Sequence, residues 1–156
     1  NLLLKTIQKF QGLKFRQQII FKKENLTIIN DSKSTSFSSS LGLLKKYRNV
    51  HWILGGVHKK KDKLILSKRY FNKINAYIYG NNKIFFIKKL KGKIKYEIFE
   101  NLKDAFKKVL KITRKNKLNH QAILFSPSAA SFDTFKNFED RGIYFNKLVK
   151  KYLYGN

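Results

Sequence analysis

Short apolar runs alternate with amphipathic stretches along the chain. "RQQIIFKK" (16–23) and "NLTIIND" (25–31) are strand-like runs around "KEN", which predicts a hairpin or two successive edge strands. "TSFSSSLGLLKKY" (35–47) follows, with hydroxyl side chains at its front as N-caps and Leu41, Leu43, Leu44 and Tyr47 at helical spacing. "VHWILGG" (50–56) reads as a buried strand, "DKLILSKRYFN" (62–72) as a helix and "INAYIYG" (74–80) as another strand. A helix over "NNKIFFIKKL" (81–90), a strand over "IKYEIFE" (94–100), the clearest amphipathic helix over "NLKDAFKKVLKITRKN" (101–116) and a last strand over "QAILFS" (121–126) come next. The tail "NFEDRGIYFNKLVKKYLYG" (137–155) is helical, with Phe145, Leu148, Val149, Tyr152 and Leu153 on one stripe.

Short buried strands separated by helices imply right-handed crossovers. The predicted fold is α/β: a doubly wound, mostly parallel sheet with helices on both faces. Ligands of such sheets collect beyond the carboxyl ends of the strands. That directs attention to "NDSKST" after "LTII", "GGVHKKKD" after "HWIL", "YGNN" after "NAYI" and "SPSAAS" after "AILF". The segment 126–142 is unusual for a connection, because it spends its positions on Ser, Ala and Phe rather than on Gly and Asn.

Composition changes the picture in three ways. At 156 residues and 42% hydrophobic content the chain can bury a single core, with a possible seam near residues 11–15. It has no cysteine, and His51, His58 and His120 are scattered, so no disulfide framework or zinc cluster is expected. It also has no methionine, so Asn1 is not expected to be a translation start and the chain reads as a piece of a longer protein. No apolar run has membrane-spanning length and no signal peptide is recognisable, which predicts a cytoplasmic location.

The formal charge of +26 suggests a polyanion partner, either nucleic acid or an anionic membrane surface. Only Arg16, Arg48, Arg69, Arg114 and Arg141 are arginines, however, and lysine is spread through nearly every segment. Arg is the residue favoured for bidentate phosphate and base contacts. The excess therefore reads first as solvated lysine, with a freestanding nucleic-acid-binding module as the competing reading.

The strand ends limit the chemistry further. "NDSKSTS" (30–36) puts a carboxylate, an ammonium and hydroxyls at a strand-to-helix turn suited to an anion, although Ser34 or Thr35 could equally serve as the helix cap. "GGVHKKKD" lacks the second glycine and final hydroxyl of a P-loop, and no other segment supplies one. Its glycines would let the backbone approach a ligand, with Lys59 as a point charge. Ser126, Ser128 and Ser131 gather at one rim without a persuasive histidine base or a nucleophile elbow, which argues against hydrolase chemistry.

Taken together, "FQGLKFR", "INDSKST", "LGGVHKKKD" and "LFSPSAASFDTFKNFEDRG" resemble, in order and spacing, the C-terminal domain of the Mur ligases. The pattern of that family is F-x-G-L-x-H-R, N-D-S-K-A-T, G-G-x-x-K-G-x-D and S-P-A-C-A-S-x-D-Q-F-x-N-F-E-x-R-G. The last motif favours the member that adds D-glutamate to UDP-N-acetylmuramoyl-L-alanine in peptidoglycan synthesis. The resemblance implies a Rossmann-like domain over residues 13–156, preceded by the tail of a central ATP-binding domain over 1–12. It implies an ATP-dependent amide-forming ligase working through an acyl phosphate, with ATP and Mg2+ held mainly by that central domain. The isolated piece would be inactive and the protein a monomer, with no membrane or specific nucleic-acid partner.

Residue by residue, the resemblance implies that Thr35, Lys59, Ser131 and the backbone of Phe138 hold D-glutamate. Arg16 and Asp31 would face the nucleotide, and Lys33 would lie beside the reacting phosphate. No metal ligand is implied in this chain. Among the departures from the pattern, Phe15 stands for histidine, Ser34 and Ser128 each for alanine, and Lys60 for glycine.

Overall fold

The computed structural model describes residues 12–117 and 119–155. The predicted tail at 1–12 falls almost wholly outside them. Strands β1 (Gln18–Lys23) and β2 (Leu26–Asn30) form the antiparallel hairpin, turned at Glu24 with φ +45°. There follow helix α1 (Phe37–Lys46), β3 (Val50–Leu54), a 3₁₀ segment (Lys68–Lys73) and β4 (Ile74–Tyr79). Helix α2 (Lys83–Leu90), β5 (Lys95–Phe99), helix α3 (Leu102–Lys115), β6 (Gln121–Phe125) and helix α4 (Phe138–Tyr154) complete the order.

The six strands stand in the order β1-β2-β6-β3-β4-β5, with every pair except β1–β2 parallel. The alternation of side chains along the central strands divides the core into two layers. Val50, Trp52 and Leu54 of β3 and Ala122 and Leu124 of β6 pack with Phe37, Leu43 and Leu44 of α1 and Phe86 and Leu90 of α2. Ile53, Ile123 and Phe125 point the other way, onto Ala105, Phe106 and Val109 of α3 and Phe145, Leu148 and Val149 of α4. The fold is the doubly wound α/β arrangement that the pattern predicts.

Helix α3 has the regularity its sequence suggests. Leu102, Ala105, Phe106, Val109, Leu110 and Thr113 form its buried stripe, and the Asn101 side chain caps it by accepting from the Asp104 amide at 2.9 Å.

The helix predicted over 62–72 is absent. Residues 62–67 are extended, and only Lys68–Lys73 turn, in a 3₁₀ helix. Leu64 and Leu66 pack against the core while Ile65 between them is 75% exposed, so the period here is two rather than 3.6.

Candidate functional site

The residues of interest sit where the strands of the sheet end, and a few contacts gather them. The turn after β2 begins with Asp31, whose amide donates to the Phe125 carbonyl at the end of β6 (2.7 Å). Its carboxylate accepts from the Gln17 amide (3.0 Å) and from Ser126 Oγ (2.7 Å), tying the segment before β1 to the segment after β6. Burial pushes the Asp31 carboxyl above the usual carboxylate range, against the opposing pull of Ser126, Gln17, Arg141 and Arg16. Arg16, Gln17, Asp31, Lys33, Ser34 and Ser39 line one open cavity of about 280 Å³. The two nucleotide-facing predictions and Lys33 are thus brought to a single site.

Lys33 crosses from that cavity to the last helix. Its Nζ lies 4.0 Å from the centroid of the Phe138 ring, and its amide donates to the Phe15 carbonyl at 3.0 Å. Phe138 opens α4, so its amide belongs to the first turn, where N–H groups have no partner within the helix. Its carbonyl accepts from Ser32 Oγ at 2.7 Å.

Asp62 ties the start of α1 to the loop that carries Lys59: its carboxylate accepts from the Phe37 amide (2.8 Å). The Asp62 amide in turn donates to the Lys59 carbonyl at 3.0 Å. The cap of α1 is Ser36, in a capping box with Ser39, and not Ser34 or Thr35. Thr35 is left half-buried at the mouth of the turn, and Lys59 is exposed.

Ser131 joins this group through a bridge between the loops. Val57 and Ala130 exchange backbone hydrogen bonds of 2.8 and 2.9 Å, which sets Ser131 beside the glycine loop. The glycines of that loop also pack closely against protein backbone. A Cβ on Gly55 would lie 2.3 Å from the Tyr79 carbonyl oxygen, and one on Gly56 2.3 Å from that of Ala130. Their φ values of +156° and +127° fall in the region that favours glycine.

The aromatic segment after β6 makes only part of a floor. Phe135 packs with Tyr144 and Phe138 lies under Lys33, but Phe132 is 75% exposed. The histidines stay out of the site. His51 is buried in β3 between Tyr77 (3.0 Å) and Gln121 (2.8 Å), with burial holding it below the usual imidazole range. His58 stacks on Phe85, and His120 lies against Tyr47.

Sequence reasoning gave no role to Arg141, a fully buried side chain. Its Nε donates to Ser32 Oγ (3.1 Å) and its Nη2 to the Ser32 carbonyl (2.7 Å), so α4 grips the Asp31–Thr35 turn from below. Its Nη1 has no hydrogen-bond partner. Burial lowers the guanidinium pKa, opposed by neighbouring Tyr79, Asp133 and Asp31. The Tyr79 hydroxyl is pushed up to about 12 by its burial. Next in sequence, Gly142 leaves room for the Phe15 ring, whose Cδ1 would lie 2.4 Å from an added Cβ.

The four departures now have places. Phe15 is buried against Gly142 at φ +63° instead of facing the cavity, and Lys60 is not among the residues with positive φ. Ser34 and Ser128 both point to Ser40 of α1, at 2.7 and 2.6 Å between hydroxyls.

Curated relatives share this sequence throughout. UDP-N-acetylmuramoylalanine–D-glutamate ligase of Rickettsia prowazekii is 39% identical over 151 residues, 96% of this chain and 34% of the relative. The enzymes of the same name from Wolbachia pipientis wMel and Francisella philomiragia are each 34% identical, over 100% and 92% of this chain and 30% and 34% of their own lengths. Over nearly its whole length the chain is homologous to part of these ligases. It spans about a third of the length of the curated relatives it matches. No protein-family model matches it.

Proposed function

We propose that the chain is the C-terminal, amino-acid-delivering domain of a cytoplasmic, monomeric, ATP-dependent ligase that joins D-glutamate to UDP-N-acetylmuramoyl-L-alanine. The observation that supports this reading is that the segments carrying Thr35, Lys59, Ser131 and Phe138 follow strand ends of one sheet and are tied by short contacts between their neighbours, in a chain whose relatives bear that ligase name.

A dianionic amino acid requires two donor groups set apart. Thr35 and Lys59 form one, at the start of α1 and the glycine loop. The Phe138 amide forms the other, where the positive end of α4 adds its field, and Ser131 belongs with the first through the Val57–Ala130 bridge. Lys33 lies between the second group and the cavity shared with Arg16 and Asp31.

In the reaction, the substrate carboxylate, activated as an acyl phosphate, is attacked by the D-glutamate amine. A C–N bond forms, the C–O bond to phosphate breaks, and phosphate leaves with the electron pair while the amine loses a proton. The Lys33 ammonium offsets the negative charge that passes to the phosphate. Arg16 faces the nucleotide, and Asp31 orients the Arg16–Gln17 segment. ATP supplies the phosphoryl group. The described residues contain no group of three or more His, Asp or Glu side chains fit to hold a metal, so no step here is assigned to Mg2+. On this reading ATP and Mg2+ would be held mainly by a central domain of the enzyme, and the described residues would be inactive on their own.

The test is kinetic, in the intact enzyme carrying this chain. Lys59→Ala and Ser131→Ala should each raise the KM for D-glutamate more than they lower kcat. An unchanged KM in both variants would overturn the site assignment.

A further inference from the structure

Four buried serines meet behind the Asp31 cavity, from two segments distant in sequence. Ser40 Oγ, in the second turn of α1, lies 2.6 Å from Ser126 Oγ, 2.6 Å from Ser128 Oγ and 2.7 Å from Ser34 Oγ. Ser126 Oγ then donates to Asp31 Oδ2 at 2.7 Å. Ser34 also meets Ser39 at 2.8 Å, and both of these line the cavity with Asp31. Ser34 and Ser128 are two of the chain's departures from the family pattern, and Ser40 is the residue that joins them.

A hydroxyl has one hydrogen, so the directions in this chain are constrained. An ionised Asp31 can only accept, which commits the Ser126 hydrogen to it. Ser126 Oγ must then accept from Ser40, and Ser40 Oγ from Ser34 or Ser128. Each donor is thereby made more acidic by the one behind it. Ser128 is held at φ +57°, a conformation that costs a residue with a Cβ and directs its hydroxyl to Ser40.

We propose that Ser40 is a positioning residue: it directs a chain of serine hydroxyls at the Asp31 carboxylate and fixes that carboxylate against the Gln17 amide, and with it the Arg16 segment. The remaining charges on Asp31 come from Arg16 before β1 and Arg141 on α4, with Lys33 of its own turn on the same cavity. From α1, β6 and the loop after it, the groups in this chain are hydroxyls. The inference rests on the nucleotide-facing reading of Asp31 for its role in turnover, and on geometry alone for the network.

The experiment titrates the Asp31 side-chain carboxyl carbon by NMR in the full chain. Ser126→Ala should move its midpoint to higher pH by the largest amount, Ser40→Ala by less in the same direction, and exposed Ser38→Ala not at all. Ser128→Gly, which relieves the backbone while deleting the hydroxyl, should move it in the same direction as Ser40→Ala and cover the case in which Ser40→Ala fails to fold. A midpoint unmoved in folded Ser40→Ala, or in both Ser128→Gly and Ser34→Ala, would overturn the proposal. In the intact ligase, the acid limb of kcat/KM for ATP should follow the same shift in Ser40→Ala. A limb that stays in place while the carboxyl midpoint moves would refute the nucleotide-facing reading and leave the network standing.

Discussion

At the residue scale the site is a set of polar side chains carried on segments that hydrogen bonds tie to one another. A hydrogen bond to a charged group contributes about 1.5–3 kcal/mol. Loss of the Lys59 or Ser131 contact should therefore raise the D-glutamate KM by roughly ten- to a hundredfold. Asp31 gives a second test, through pH. Its folded-state pKa is raised by burial, so the folded form keeps the proton to higher pH than the unfolded form. The associated stability is fully present below the unfolded carboxylate value and is lost as pH rises through the folded value. Compared with Asp31→Asn, which lacks this titration, the natural chain should lose unfolding free energy across that window, as measured by urea denaturation at a series of pH values. A constant difference between the two would contradict a buried, titrating Asp31. The motifs named Thr35, Lys59, Ser131 and Lys33 because they are polar and stand at strand ends. They did not expose Arg141 or Ser40, whose importance lies in partners 109 and 86–88 residues away. A single arginine kept inside a motif of a lysine-rich chain was the one available sign.

At the element scale, alternation identified every strand and α3 and α4, because burial on two faces leaves a period that neighbouring residues repeat. It failed over 62–72, where Leu64, Ile65 and Leu66 are apolar together and only the fold determines that Ile65 faces water. The glycines carry element-scale geometry. Gly142 and Phe15 form a pair in which one leaves the space the other fills. Gly142→Ala should destabilise the chain by about 1–3 kcal/mol through overpacking. Combined with Phe15→Ala, its cost should shrink, and the double-mutant cycle read from urea midpoints should give a clear coupling. Strict additivity would mean that the ring and the glycine do not meet.

At the scale of the whole molecule, the charge of +26 and the candidate site are separate features. Arg141, one of five arginines, is buried, and the lysines extend over every exposed segment rather than tracing one groove. Binding to a mixed-sequence DNA duplex should accordingly be sequence-blind and collapse between low and moderate salt. Selective binding that survives such salt, followed by fluorescence anisotropy, would restore the nucleic-acid reading. Among the described residues no helix is long and apolar enough to cross a membrane. The central claim concerns which amino acid the rim accepts, and the most direct measurement is phosphate release by the intact enzyme carrying this chain, supplied with ATP, UDP-N-acetylmuramoyl-L-alanine and one amino acid at a time. Release with D-glutamate and not with L-glutamate or L-lysine is the predicted result. Equal release with the other amino acids, or none with D-glutamate, would contradict it.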